Sequence, residues 1–261
     1  VVINSIESID AKNAALKAET YGGDIHISDV SNVLSELRDG IEARSGGGDI
    51  TIENIGTVAS ALSAVSNLDE LFAIDLDSSV YAPATDDQGN ILRDDDGDEI
   101  YVLAGGGDIS IQNLSVQTVP ERTKLVSDGV TPVPAYYDKT YPAAYSANGI
   151  RVQSGTGAIN LGFGDLDNSD DDYDNAIGNI YSQRIGIYAN SQGGDIDINT
   201  KGKIVTGTEG IHAKQDGAGD VTITTSGDIE SATQNAIHVE AGESARNITV
   251  TANGSLERIA G

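Results

Sequence analysis

The chain has no cysteine, no methionine and no tryptophan, and its 261 residues include only two phenylalanines, five prolines and 15 basic side chains. Without cysteine there is no disulfide framework, no thiolate metal site and no cysteine nucleophile. The same absence suits a cytosolic chain, and also one exported unfolded across membranes. The few basic residues stand against 41 acidic ones, for a formal net charge of -26. Phosphate binding needs clustered Lys and Arg that release counterions, so the composition excludes nucleic acid as a partner. An anionic membrane surface would repel the chain as well. No apolar run reaches the ~18 residues of a spanning helix, so no membrane insertion of this segment is expected. Aromatic residues make up 5% of the chain, so any core must be built from Ile, Val, Leu and Ala. An acidic chain with 31 glycines and few aromatics would be disordered unless ordered periodicity shows otherwise. The sequence opens at Val1 without an initiator Met or a signal peptide, and reads as a mature or excised piece of something longer.

Periodicity is present. Gly22-Gly23-Asp24-Ile25-His26-Ile27 returns as Gly47-Gly48-Asp49-Ile50-Thr51-Ile52 and as Gly106-Gly107-Asp108-Ile109-Ser110-Ile111. Looser copies begin at Gly157, Gly193, Gly219 and Arg246. A second element precedes most of these, as in Gly40-Ile41-Glu42-Ala43-Arg44-Ser45, Gly149-Ile150-Arg151-Val152-Gln153-Ser154 and Gly186-Ile187-Tyr188-Ala189-Asn190-Ser191. Later copies start at Gly210 and Ala236, and a third element recurs at Gly202, Gly227 and Gly254. Asp24 to Asp49 and Asp195 to Asp220 are both 25 residues, and longer intervals elsewhere imply insertions.

Each unit is three short strands of alternating apolar and polar residues. Alternation places Ile25, Ile27, Ile50 and Ile52 on one face, and His26 and Thr51 on the other. Strand one of each unit matches strand one of the next, not its neighbour in sequence. Equivalent strands therefore stack in parallel, one coil above another, as a β-solenoid. The expected inward stacks are Ile196, Val221, Ile248; Ile198, Ile223, Val250; Ile204, Ile229, Leu256; and Ile211, Ile237. Glycines would supply positive φ at the corners, and the following Asp would accept backbone N–H groups there. Seven coils give a column on the order of 30–35 Å long. Its open edges call for flanking coils or caps in a parent protein.

Three insertions interrupt the coils, at about 56–104, 117–148 and 163–185. Such insertions map to surface loops and often form a binding face. In the first, Val58 to Val65, Leu68, Leu71 and Phe72 follow a spacing of three and four, which predicts one short amphipathic helix on the column. The acidic run that follows offers Asp94, Asp96, Asp98 and Glu99 as hard oxygen ligands for Ca²⁺. The third insertion offers Asp165, Asp167, Asp170 and Asp172 in the same role, and Asp165-Leu166-Asp167-Asn168-Ser169 copies the opening spacing of an EF-hand loop. Neither run has the complete EF-hand pattern, and a solvated loop is the alternative for both. The second insertion carries Tyr136, Tyr137, Tyr141 and Tyr145, whose rings suit carbohydrate or protein contacts or would pack the loop onto the column. No cofactor is required by any of these patterns.

His212 and His238 take the same position in successive coils and would lie about 5 Å apart. A pair at that spacing could hold a transition metal, but no further ligand is evident, and the pair reads as a surface ladder. His26 faces outward with no nucleophilic partner. No Gly-x-Ser-x-Gly elbow, phosphate loop or dinucleotide fingerprint occurs, and the expectation is that the chain is not an enzyme.

The coils at Gly210-Ile211-His212-Ala213 and Gly219-Asp220-Val221-Thr222-Ile223-Thr224-Thr225-Ser226-Gly227-Asp228-Ile229 resemble the passenger domains of bacterial autotransporters and related filamentous-haemagglutinin-like proteins. The resemblance is clearest over 185–256 and recurs at 22–52 and 105–111. It implies an all-β, right-handed parallel β-helix exported by type V secretion. It also implies an extracellular location at the bacterial cell surface, with an outer-membrane anchor outside this segment. The expected role is a rigid stalk that presents loops to a surface glycan, a protein or neighbouring copies of itself. A polysaccharide lyase or hydrolase, a glycan-binding tailspike-like trimer and a filament subunit are the alternatives. For the lyase or hydrolase the only support is analogy of fold.

Overall fold

The computed structural model describes residues 1–35, 38–60, 72–86, 88–94, 96–117, 122–126, 129–133, 148–162, 176–182 and 184–258. All regular structure among them is β, and long parallel sheets dominate. A seven-stranded sheet stacks Leu16–Thr20, Ile41–Ser45, Phe72–Asp77, Asn148–Ser154, Ile187–Ser191, Ile211–Gln215 and Ile237–Ala241 in that order. A twelve-stranded sheet begins with Val2–Ala11, Ile25–Ser35, Ile50–Ala59 and Ile109–Gln117. It then divides into two branches. Ile159–Leu161, Ile196–Thr200, Val221–Thr225 and Ile248–Ala252 form one, and Ile180–Ser182, Ile204–Thr206, Ile229–Ser231 and Leu256–Arg258 form the other.

The register follows the repeat. Ile196 pairs with Val221 and Val221 with Ile248; Ile198 pairs with Ile223 and Ile223 with Val250. Ile204, Ile229 and Leu256 share a register position, as do Ile211 and Ile237. Alternation then decides burial. Ile25 is 1% exposed, and Ile27, Ile50, Ile52, Ile109 and Ile111 are fully buried in one continuous cluster. Burying such a side chain contributes about 1.5–3 kcal/mol, and a layer above and below each one removes nearly all its water contact.

Polar side chains finish the turns. Three strands of the seven-stranded sheet end in a buried serine whose hydroxyl donates to a glycine carbonyl: Ser45 to Gly48 at 2.6 Å, Ser154 to Gly107 at 3.0 Å, Ser191 to Gly194 at 2.9 Å. The Asp after the glycines does not cap its own turn. Its Oδ1 accepts the backbone N–H of the next layer, Asp24 from Asp49 at 3.1 Å, Asp49 from Asp108 at 2.9 Å and Asp195 from Asp220 at 2.8 Å. These carboxylates therefore tie layer to layer.

Several expectations need correction. Among the described glycines, positive φ occurs at Gly22, Gly47, Gly89, Gly97 and Gly162 and not at the stacked Gly48, Gly107, Gly157, Gly194 and Gly219. Close approach of layers is the reason for the second group. A Cβ on Gly107 would press on the Gly48 carbonyl and lie 2.8 Å from the Asp49 nitrogen, and one on Gly194 would lie 2.6 Å from the Ala158 nitrogen. Residues 56–59, 72–77 and 180–182 fall within the expected insertions but form parts of the parallel sheets, and Ile177 makes an isolated parallel bridge to Thr200. Val58 and Phe72, the ends of the expected helix, lie in strands; residues 61–71 are outside the described residues. Early layers also differ from late ones. Ile25–Ser35 and Ile50–Ala59 run unbroken through two expected strand positions, bending at Asp29 and Asn54, both at φ 54°. Their side chains join, Asn54 Nδ2 donating to Asp29 Oδ1 at 3.2 Å.

An antiparallel arm leaves the stack between the strands Ser79–Pro83 and Tyr101–Gly106. Ala84 donates to the Ile100 carbonyl at 2.7 Å, Leu92 to Ala84 at 2.7 Å and Ile100 to Leu92 at 3.1 Å. A separate antiparallel pair joins Arg122–Val126 to Gly129–Val133.

Candidate functional site

Parallel stacking turns one sequence position into a rail along the seven-stranded sheet. The residue after the first inward Ile or Leu faces outward, and register aligns Lys17, Glu42, Asp75, Arg151, Tyr188, His212 and His238. A second rail two residues on runs through Glu19, Arg44, Asp77, Gln153, Asn190, Lys214 and Glu240.

The early part of the rails is an ion-pair network around Asp75, which is 2% exposed. Arg151 donates from Nε to Asp75 Oδ1 at 2.8 Å and from Nη2 to Oδ2 at 2.7 Å. Arg44 adds a third bond to Oδ2 at 3.0 Å and also reaches Glu42 at 3.1 Å. The Arg151 guanidinium lies 4.7 Å from the Phe72 ring centroid, a cation–π contact. A bidentate guanidinium and a second arginine satisfy a buried carboxylate that would otherwise be costly.

Asp39 closes the edge of this network, accepting the Phe72 N–H at 2.7 Å. Burial raises its carboxyl to about 6, helped by the charges of Asp75 and Glu42 and opposed by the Phe72 bond and Arg151. The folded state therefore holds a proton that the unfolded state releases, so Asp39 contributes stability below about pH 4 that is lost as pH rises through 6. Asp39→Asn keeps an acceptor for Phe72 and removes the buried charge. It should raise stability at pH 8 by on the order of 1–3 kcal/mol, after allowance for partial exposure, with the gain shrinking at pH 4. Denaturant melts at the two pH values check this; a gain independent of pH would refute it.

The late part of the rails is a histidine pair. The His212 and His238 rings are stacked, with centroids 4.5 Å apart and planes at 26°, and Tyr188 meets His212 edge-on at 5.2 Å. The ladder therefore exists, but it is not without partners. Glu209, 8% exposed, places Oε2 2.9 Å from His212 Nδ1 and Oε1 2.7 Å from His238 Nδ1. Glu240 Oε1 lies 3.5 Å from His212 Nε2 and 3.8 Å from His238 Nε2. Glu209, His212 and His238 bring ligand atoms within 4.8 Å of one another. Glu209 escaped the sequence reading because it lies in a turn rather than on a rail; its i,i+3 offset from His212 was the available signal. His26 also has a partner, Glu53 Oε1 at 2.9 Å.

The expected Ca²⁺ ligands of the first acidic run sit at a turn of the arm. Asp94 Oδ1 accepts the N–H groups of Asp96 at 3.0 Å and Asp98 at 2.9 Å, and Glu99 pairs with Arg93 at 2.9 Å. Asp86 repeats the turn one hairpin earlier, accepting from Gln88 and Asn90 at 2.9 Å each. Asp165, Asp167, Asp170 and Asp172 lie outside the described residues, as do Tyr136, Tyr137, Tyr141 and Tyr145. On the arm, Tyr81 is 53% exposed, Ile91 44% and Tyr101 57%, beside the exposed Leu92, Ile100 and Val102.

Comparison with protein-family models, curated proteins and solved structures found no match to this chain.

Proposed function

We propose that the parallel sheets are walls of a right-handed β-solenoid of about 25 residues per coil, and that the chain is a rigid adhesive module of the bacterial cell surface. The in-register stacking of equivalent strands, with their Ile and Val side chains shared between layers, supports the solenoid. Such a column is stiff because each layer is bonded and packed to the next along its length. The observation that carries the adhesive reading is the arm. Its hairpins hold Tyr81, Ile91, Leu92, Ile100, Tyr101 and Val102 exposed, while inner layers of the column bury Ile50, Ile109, Ile159 and Ile196 completely. Large apolar side chains left exposed on one short arm, beside polar turns, suit a contact surface, and tyrosine gives large contact area at low entropic cost. The contacted material is a surface glycan, a protein or another copy of the module.

A triple replacement, Tyr81→Ser, Ile91→Ser and Tyr101→Ser, tests this. The purified protein should bind intact bacterial and host cells, and the variant should lose that binding at least tenfold while keeping its β circular dichroism and melting temperature. Undiminished binding by a folded variant would overturn the reading. So would turnover of a defined glycan that one arm substitution abolishes.

A further inference from the structure

We propose that His212, His238 and Glu240 form a binding site for a divalent transition-metal ion such as Zn²⁺, with Glu209 as the carboxylate that orients both imidazoles. The inference is independent of the adhesive role. It begins with hydrogen-bond inventory. A carboxylate only accepts, so Glu209 can engage both rings only if each Nδ1 carries a proton. In the neutral imidazoles that leaves both Nε2 atoms with a lone pair. Both lone pairs lie on the Glu240 side, 3.5 and 3.8 Å from its Oε1. His212 Nε2 is buried and makes no hydrogen bond among the described residues. Three electron-pair donors thus face one another, and no described residue donates a hydrogen bond to His212 Nε2, which is the arrangement a cation resolves.

The spacing also fits. Tetrahedral Zn²⁺ with ligands at about 2.0–2.1 Å sets its donor atoms roughly 3.3 Å apart, close to the two Nε2–Oε1 separations. The stacked rings, 4.5 Å between centroids, need only tilt toward each other to share the ion. Imidazole with carboxylate is a donor set for Zn²⁺ rather than Ca²⁺. A second carboxylate on the far ring nitrogen fixes the tautomer and makes the near nitrogen a better ligand, which is the position of Glu209. Glu209 is held in place by burial, its side chain 10% exposed, while Glu240 is 46% exposed and leaves the ion an entry path and a position for water. The repeat itself explains the site. Parallel stacking repeats one sequence position at one strand spacing, so two histidines in successive layers become a pair of ligands without any local motif.

The test uses untagged, chelator-treated protein and ZnCl₂. Calorimetry should show one Zn²⁺ per chain. At free Zn²⁺ about one hundred times Kd, the melting temperature should rise by roughly 5–10 °C. Co²⁺ should give the visible d–d bands of a four-coordinate site. His238→Gln and Glu240→Gln, both partly exposed positions, should weaken Zn²⁺ binding at least a hundredfold with the apo melting temperature nearly unchanged. Glu209→Gln should weaken it about 10–100-fold. His26→Gln, at the other His–Glu pair, should leave it unaltered. Absence of saturable Zn²⁺ binding to the wild-type chain would overturn the proposal. Full binding by Glu240→Gln, or equal loss in His26→Gln, would overturn the assignment of ligands.

Discussion

Ile159→Ala is expected to cost about 2–5 kcal/mol of stability, the largest effect of any single truncation considered. Ile159 is fully buried, and its register partners Ile109 below and Ile196 above are fully buried too. Removing it leaves a void between two layers whose backbones are pinned by hydrogen bonds, Ile109 to the Ala158 carbonyl at 2.8 Å and Ile159 to the Asp195 carbonyl at 2.8 Å. The walls cannot close without breaking those bonds, so the cavity persists and the full cost is felt. Ile248→Ala, in the last layer of the same stack, is the comparison. Ile248 is 50% exposed and has no described layer above it, so its truncation should cost under about 1 kcal/mol. Guanidinium unfolding of the two variants checks the difference. Equal losses would mean that the layers do not share their core.

The second large effect is Gly107→Ala. The added methyl would push on the carbonyl carbon and oxygen of Gly48 and sit 2.8 Å from the Asp49 nitrogen. All three are backbone atoms, and the same layers are joined by Asp108 donating to Asp49 Oδ1 at 2.9 Å and Ile50 donating to the Asp108 carbonyl at 2.9 Å. Separating the layers to admit a methyl would weaken both, at a cost of roughly 2–3 kcal/mol. Gly105→Ala, two residues away, is the control. Its Cβ would meet nothing closer than Val80 Cβ at 3.8 Å and its φ is ordinary, so it should be neutral or slightly stabilising. A loss at Gly105 matching that at Gly107 would show that loss of backbone freedom, not interlayer contact, sets the effect.

The glycines also show where sequence reading stops. Their recurrence was visible, and a turn was the natural reason for it. Gly22 and Gly47 do have positive φ, at 125° and 106°. The stacked ones do not, and what excludes a side chain there is a carbonyl from another layer. Ala236 illustrates the point. It replaces glycine in the series Gly149, Gly186 and Gly210, each of which would press a Cβ on the carbonyl of the following member. As the last member, Ala236 has no such carbonyl above it among the described residues. A contact between residues a whole layer apart in the chain has no local signature, so the sequence alone could only suggest the commoner cause.

The missed strands have a similar origin. Phe72–Asp77 belongs to the seven-stranded sheet, with Ile74 and Leu76 inward and paired to Ile41 and Ala43. No glycine introduces it, so it does not match the motif and reads from spacing as part of an insertion. Leu16–Thr20 lacks the motif for the same reason. In both, period-two alternation was present but too short to stand out without the flanking turn. The histidine site divides differently. The stacking of His212 on His238 followed from spacing, and the ring separation of 4.5 Å is what one strand spacing predicts. Glu209 did not follow, since its position depends on how a turn folds back over the rail.

By itself, then, the repeat determined which residues are equivalent, which face is apolar and that equivalent strands pair in parallel, because side-chain alternation and a recurring spacing are properties of the chain. Only the tertiary structure decided how closely layers approach, which acids bridge them and what lies between two stacked histidines. Those depend on distances between residues far apart in sequence, and such distances are set when the layers close on one another.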